Sequence, residues 1–300
     1  MEKTKFLAYS GQPTFWRLDS TRDLADVDIA VMGVPFDMGV SNRPGARFGA
    51  REIRSMSLHT GNFHYPYTYD IKDKFNIIDY GDVGATIGAN AVHSMIEETY
   101  HHASKILNSN VRLLTLGGDH TIPYGLVRAA SEKYGKLALI HLDSHQDSLP
   151  GNENEIFHGT FAHDIARAGY VDASKSVQVF IRTDMPNENE YNIIYANEAL
   201  ELTADTLATK IKEIVGEMPV YLTLDIDSLD PSVAPGTGTP VIGGPNTYYM
   251  RKLLQSLNGI NVVAADLVEV SPTYDEGEIT TLAAATLAGD LIYLLGGIER

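Results

Sequence analysis

Three short stretches of this sequence collect the side chains that bind hard metal ions. His-Leu-Asp-Ser-His-Gln-Asp occupies residues 141–147, Asp-Ile-Asp occupies 225–227, and Gly-Gly-Asp-His occupies 117–120. Each closes an apolar run with β character: KLALIHLD (136–143), PVYLTLDID (219–227) and VRLLTLG (111–117). An extended chain places residues i, i+2 and i+4 on one face, so Asp143, His145 and Asp147 are expected to point together, as are Asp225 and Asp227. With His120 these make six candidate ligands, two imidazoles and four carboxylates. That oxygen-rich set suits Mn²⁺ and leaves Zn²⁺, Co²⁺, Ni²⁺ and Fe²⁺ open. Six side chains are too many for one ion with a free position, but they suit two ions ~3.5–4 Å apart that share carboxylates. Water held between two such ions loses a proton near neutrality and becomes a nucleophile. Taken singly, the stretches could be a polar loop, a turn cap and a bare strand-to-helix turn. Asp143 and Asp225 decide the matter, because a carboxylate at the end of a buried apolar run is costly without a counter-cation.

The elements that must position these residues recur along the whole chain. Further β-rich runs are DIAVMGV (28–34), FNIIDYG (75–81), SVQVFIR (176–182) and INVVAADLVEV (260–270). Helical stretches such as 91–108, 121–134, 203–216 and 246–257 separate them, with Thr-Ala-Asp (203–205) and Pro-Asn-Thr (245–247) as helix starts. Near-continuous Val/Ile/Leu runs alternating with helices predict an α/β fold, a parallel sheet covered on both faces. Ligands of such sheets bind beyond the carboxyl ends of the strands, where the His and Asp stretches fall.

Composition sets the outer bounds. The 300 residues carry 39 acidic and 23 basic side chains, a formal charge of −16, which disfavours nucleic acid and anionic membranes as partners. There is no cysteine, so disulfides and thiolate ligands are excluded. No apolar stretch approaches the ~20 unbroken residues of a membrane span, and MEKTKFLAYSGQPTFW does not resemble a signal peptide. The expectation is a cytoplasmic protein of one domain, 1–300. Its first 25 residues form an extension whose Phe15 and Trp16 pack on the core or on a neighbouring subunit.

In order and spacing, the motifs resemble the ureohydrolase family, which includes arginase, agmatinase, guanidinobutyrase and proclavaminate amidinohydrolase. The resemblance rests on Gly-Gly-Asp-His (117–120), Asp-Ser-His-Gln-Asp (143–147), Asp-Ile-Asp-Ser-Leu-Asp-Pro-Ser-Val-Ala-Pro-Gly-Thr-Gly-Thr-Pro (225–240) and Glu-Val-Ser-Pro (269–272). Gly-Val-Pro-Phe-Asp (33–37) and Arg-Pro-Gly-Ala-Arg-Phe-Gly (43–49) extend it toward the start. It is nearest to the bacterial agmatinases. It implies a three-layer α/β/α fold with an eight-stranded, mainly parallel sheet, two Mn²⁺ per subunit, and a trimer or hexamer. One ion would take His120, Asp143, Asp147 and Asp225; the other would take Asp143, His145, Asp225 and Asp227. Activated water would then attack a guanidinium carbon, releasing urea and an amine. Glu269 matches the acid that pairs with the guanidinium, and His158 the loop histidine that moves protons. Those roles suit a forked carboxylate and an imidazole. His141 shares a strand face with Asp143 and is a partner for it or an ordinary core histidine. His93, His101 and His102 belong to a helix surface.

Ser144 stands where Asp-Ala-His is usual, a small residue for a small one. The loop 148–157 lacks the Ser-Gly-Asn element by which arginases read an α-amino acid, and it carries Glu153 and Glu155. These acids favour a cationic substrate tail, so the expected reaction is agmatine to putrescine and urea. The alternatives are guanidinobutyrase, arginase or formimidoylglutamase activity, or a catalytically silent metal-binding subunit. The glycine-rich 235–240 segment is no phosphate cradle, because it lacks a following Gly-Lys-Ser/Thr and holds two prolines.

Overall fold

Eight strands run in one direction. In the computed structural model, which describes residues 7–84, 87–151, 155–183 and 186–297, they are β1 (Ile29–Gly33), β2 (Ile77–Asp82), β3 (Arg112–Leu116), β4 (Ala138–Leu142), β5 (Val177–Ile181), β6 (Asn192–Tyr195), β7 (Val220–Asp225) and β8 (Val262–Val268). All pair in parallel, in the order β2-β1-β3-β8-β7-β4-β5-β6. The helices are α1 (Gly49–Thr60), α2 (Ala91–Asn108), α3 (Pro123–Tyr134), α4 (Phe161–Arg167), α5 (Ala196–Glu201), α6 (Ala204–Val215), α7 (Thr247–Ser256) and α8 (Ile279–Gly296).

Strand side chains alternate between two cores. Ile29 and Val31 join α1 and α5–α8 on one face, while Ala30 and Met32 join α2–α4 on the other. That two-residue period makes both layers apolar and explains why the strands read as unbroken Val/Ile/Leu. Helix α8 is apolar all round, long enough by composition to cross a membrane, and 78% of it is buried within the protein. A helix apolar on every side belongs in such an interior. Two expected helix starts have their caps: Thr203 accepts from Thr206 N–H and Asn246 from Tyr249 N–H. Phe15 and Trp16 pack into the main core of their own chain, with their backbone N–H groups bonded to Asp79 and Ser57.

Strands β3, β8, β7 and β4 are neighbours at the middle of the sheet. Their carboxyl ends therefore open onto one shared place. Gly117 and Gly118 carry the chain off β3 there. A Cβ at Gly118 would stand 2.6 Å from Phe36 O, and one at Gly117 2.6 Å from Val268 Cγ1, so only glycine lets this loop lie against its neighbours.

Candidate metal centre and active site

The four central strands deliver the site. The turn after β3 brings His120, β4 brings Asp143, His145 and Asp147, β7 brings Asp225 and Asp227, and β8 brings Glu269. The acids converge by a different device from the one their spacing suggests. Strand β4 ends at Leu142 and the chain bends at once, with Asp147 at φ 46°. Asp143 Oδ1 accepts the N–H of His145 at 2.7 Å, and Asp225 Oδ1 accepts that of Asp227 at 2.7 Å. Both strands thus finish in an Asx turn, and the turn, not strand alternation, gathers the ligands.

All six expected ligands come together. His120 Nδ1 lies 3.0 Å from Asp143 Oδ2, 3.0 Å from Asp147 Oδ2 and 3.2 Å from Asp225 Oδ2. His145 Nδ1 lies 3.4 Å from Asp143 Oδ1 and 3.2 Å from Asp227 Oδ2. Donor atoms bound ~2.1 Å from one ion stand roughly 3 Å apart when adjacent, so both groupings have the spacing of a coordination shell. Asp143 belongs to each, one oxygen per group.

The chemistry of the donors makes a cation the fitting occupant. His120 is fully buried, and its Nδ1 makes no hydrogen bond although three carboxylate oxygens surround it. Burial opposes its charging, yet Asp143, Asp147 and Asp225 together raise it well above the usual imidazole range; whatever sits between them must be positive. Burial, with Asp227 and Asp143 alongside, pushes Asp225 well above the usual carboxylate range. Two divalent ions relieve both strains.

The surroundings fix these ligands. His141 donates from Nε2 to Asp143 Oδ2 at 2.7 Å. Its tautomer is set from behind, because the Gln178 amide nitrogen donates both to Gln146 O and to His141 Nδ1. Ser144 Oγ donates to Asp227 Oδ1 at 2.6 Å and Thr239 Oγ1 to Oδ2 at 3.2 Å. Sequence reasoning passed over both: Ser144 counted only as small, and Thr239 lay in a segment read for its glycines. Asp119, also passed over, is fully buried, accepts the Gly39 N–H at 2.7 Å and is pushed up to about 7 by burial and by Glu269.

A cavity of about 370 Å³ opens over the cluster, lined by Ser41, Leu149, Phe157, His158, Thr183 and Thr239 beside the ligands. His158 donates from Nδ1 to Glu269 Oε1 at 3.1 Å, and its Nε2 lies 2.7 Å from Ser41 Oγ. Burial opposes protonation of this ring, but Glu269 lifts it to about 9. Glu269, at φ 63° and 2% exposed, stands one side chain deeper than His158. Its Oε1 also accepts the His120 N–H at 2.9 Å. Glu155 is exposed and is not among the described residues that line the cavity, and Glu153 lies outside the described residues.

The arginase family model matches residues 27–293. This chain belongs to the arginase family. An agmatinase of Neisseria meningitidis serogroup C is 45% identical over 271 residues, covering 90% of this chain and 87% of its own. Among solved structures, a hypothetical agmatinase from Burkholderia thailandensis superposes with a TM-score of 0.91 at 42% identity, covering 96% of this chain and 91% of that one. Proclavaminate amidino hydrolase from Streptomyces clavuligerus gives 0.92 at 35% identity, with 97% and 99% covered. Arginase-family proteins are binuclear metal enzymes, and the His/Asp groupings supply such a centre here.

Proposed function

We propose that this chain hydrolyses a small alkyl guanidine, agmatine, to putrescine and urea, with two Mn²⁺ as the metals. The sharing of Asp143 between two ligand groups, beside the His158–Glu269 pair, carries the proposal. Bound dications supply a water acidic enough to act as nucleophile at neutral pH. The protein's own groups do the rest. Leu149 and Phe157 offer an apolar wall to a methylene chain, and the hydroxyls of Ser41, Thr183 and Thr239 line the same cavity. His158, at the cavity wall, holds its Nδ1 proton toward Glu269, and the departing amine would take that proton once the ring turns. Glu269 lies behind that ring, so pairing with a guanidinium requires His158 to swing aside. The −16 charge favours encounter with a cationic substrate.

The name of the Neisseria relative supports agmatine as the substrate. A second reading, another guanidine with a neutral or anionic tail, gains from the place of Glu155 on the surface, since that leaves Glu153 alone to favour a cationic tail. Urea release from agmatine, arginine, 4-guanidinobutyrate and 3-guanidinopropionate, measured side by side with Mn²⁺, decides between them. Fast release from agmatine alone supports the proposal. Preference for 4-guanidinobutyrate overturns the substrate and keeps the chemistry, and no urea from any of the four overturns both.

A further inference from the structure

Asp266 has no part in the chemistry described so far. It sits in the middle of β8 with no exposed surface, a carboxylate in the centre of the sheet. Its two oxygens are held by hydroxyls of the adjoining strand: Tyr221 Oη bonds Oδ2, and Thr223 Oγ1 bonds Oδ1 at 2.6 Å. Strands β7 and β8 are in register here, with Thr223 opposite Asp266. Thr223 Oγ1 also lies 2.8 Å from Nε2 of His120.

Hydrogen-bond direction along this line is determined. An ionised carboxylate only accepts, so Thr223 must donate to Asp266. A hydroxyl has one hydrogen, and this one is spent. Toward His120 the Thr223 oxygen can therefore only accept, and Nε2 of His120 must carry a proton. The nitrogen left free to give up a proton is Nδ1, the atom that faces Asp143, Asp147 and Asp225 at 3.0–3.2 Å.

We propose that Thr223 and Asp266 are positioning residues for the metal centre: a relay from Asp266 through Thr223 pins the Nε2 proton of His120 and keeps Nδ1 available as a metal ligand. The inference rests on the assignment of His120 as a ligand. It explains a buried acid with no cation among its hydrogen-bond partners, and it gives Thr223 a task that a strand position alone does not require. Without the relay, the proton is free to sit on Nδ1, where it competes with the ion.

The test uses the full chain, stripped with a chelator and titrated with Mn²⁺ by calorimetry and by electron paramagnetic resonance. Thr223→Val keeps the shape of the side chain and removes the acceptor. It should weaken one of the two ions by about 10–100-fold, the usual effect of losing a hydrogen bond to a ligating histidine. Thr223→Ser restores the oxygen and should bind within about threefold of the unaltered protein. Urea unfolding of the metal-free forms separates binding from folding: Thr223→Val should lose affinity well beyond any loss of metal-free stability. His120→Asn isolates the premise. If His120→Asn binds both ions as well as the unaltered protein, the ligand assignment fails. If His120→Asn loses an ion while Thr223→Val binds both at unaltered affinity, the relay fails and the assignment stands. Weak binding by Thr223→Ser equal to that of Thr223→Val also overturns the relay.

Discussion

Glu269 is tied to two parts of the site at once. Its Oε1 takes the backbone N–H of His120 and the Nδ1 proton of His158, so it steadies a ligand and a proton carrier together. Glu269→Gln keeps an amide oxygen for both bonds but removes the charge. Metal content should therefore stay near two per chain while urea release falls by about 10²-fold or more, the usual scale of a lost acid–base group; elemental analysis beside a urea assay checks both. Loss of the ions in this variant would make Glu269 a scaffold for His120 and nothing more. At this scale much was legible in the sequence. Acids and imidazoles that close buried apolar runs are costly unless they meet a cation or each other, so the six ligands and Glu269 stand out. His158 emerged from the family resemblance alone, since a loop histidine carries no signal of its own. Ser144, Thr239 and Thr223 do not stand out, since a hydroxyl in a strand or a glycine-rich loop reads as ordinary. Asp266 carried a signal that went unread, a lone acid inside the apolar run 260–270.

At the scale of elements, what matters is how the strand ends are closed. Arg182, just past β5, donates to the carbonyls of Phe180, Asp227, Ser228, Leu229 and Val241. It clamps the turn that holds Asp227 to the end of the neighbouring loop. Arg182→Met leaves those carbonyls without their donor and should destabilise the protein by about 2–4 kcal/mol, read from urea unfolding, with weaker binding of the ion held by Asp227. An unchanged unfolding midpoint would mean that water replaces the clamp. Asp230 closes the same region. Its carboxylate is drawn down to about 2: burial works against this, but hydrogen bonds from Ser232, Gly243 and Gly244 outweigh it. A depressed folded pKa stabilises above the unfolded value of about 3.9 and is lost as pH falls toward the folded one. The stability gap between the unaltered protein and Asp230→Ala should thus be constant at pH 5 and above, and narrow from about pH 4 downward. A gap that stays constant to about pH 3 would put the contribution of Asp230 elsewhere than in its charge. Seven of the eight strands were legible as β-rich runs. The eighth, β6, is a four-residue edge strand, Asn-Ile-Ile-Tyr, too short for a periodic signal. The Asx turns were hidden for another reason: an i, i+2 pair of acids looks alike in a strand and in a turn.

For the whole molecule, the decisive property is that four carboxylates are gathered at adjoining strand ends. Two apolar layers hold the strand ends rigid, so the carboxylates of Asp143, Asp147, Asp225 and Asp227 cannot drift apart to relieve their repulsion. The fold is therefore under electrostatic load that a cation removes, and stability and metal occupancy become one quantity. An ion present at about 100 times its dissociation constant adds about 2.7 kcal/mol to a native state that alone binds it, a rise in melting temperature on the order of 5 °C for a chain of this size. Chelation should lower the melting temperature by at least that amount, and Mn²⁺ should restore it. Asp143→Asn provides the counter-test. It removes one charge from the crowd and the oxygen pair that both ligand groups share. Metal-free, it should melt only slightly lower than the metal-free unaltered protein, since the repulsion removed offsets in part the hydrogen bond lost where the amide nitrogen faces His141 or His145 N–H. With Mn²⁺, it should gain little while the unaltered protein gains fully. Calorimetric melting of both forms, with and without the ion, reads all four states. An equal gain in the two proteins would mean that the stabilising ions bind away from Asp143. A metal-free variant that melts far lower would mean that Asp143 serves the fold more than the metals.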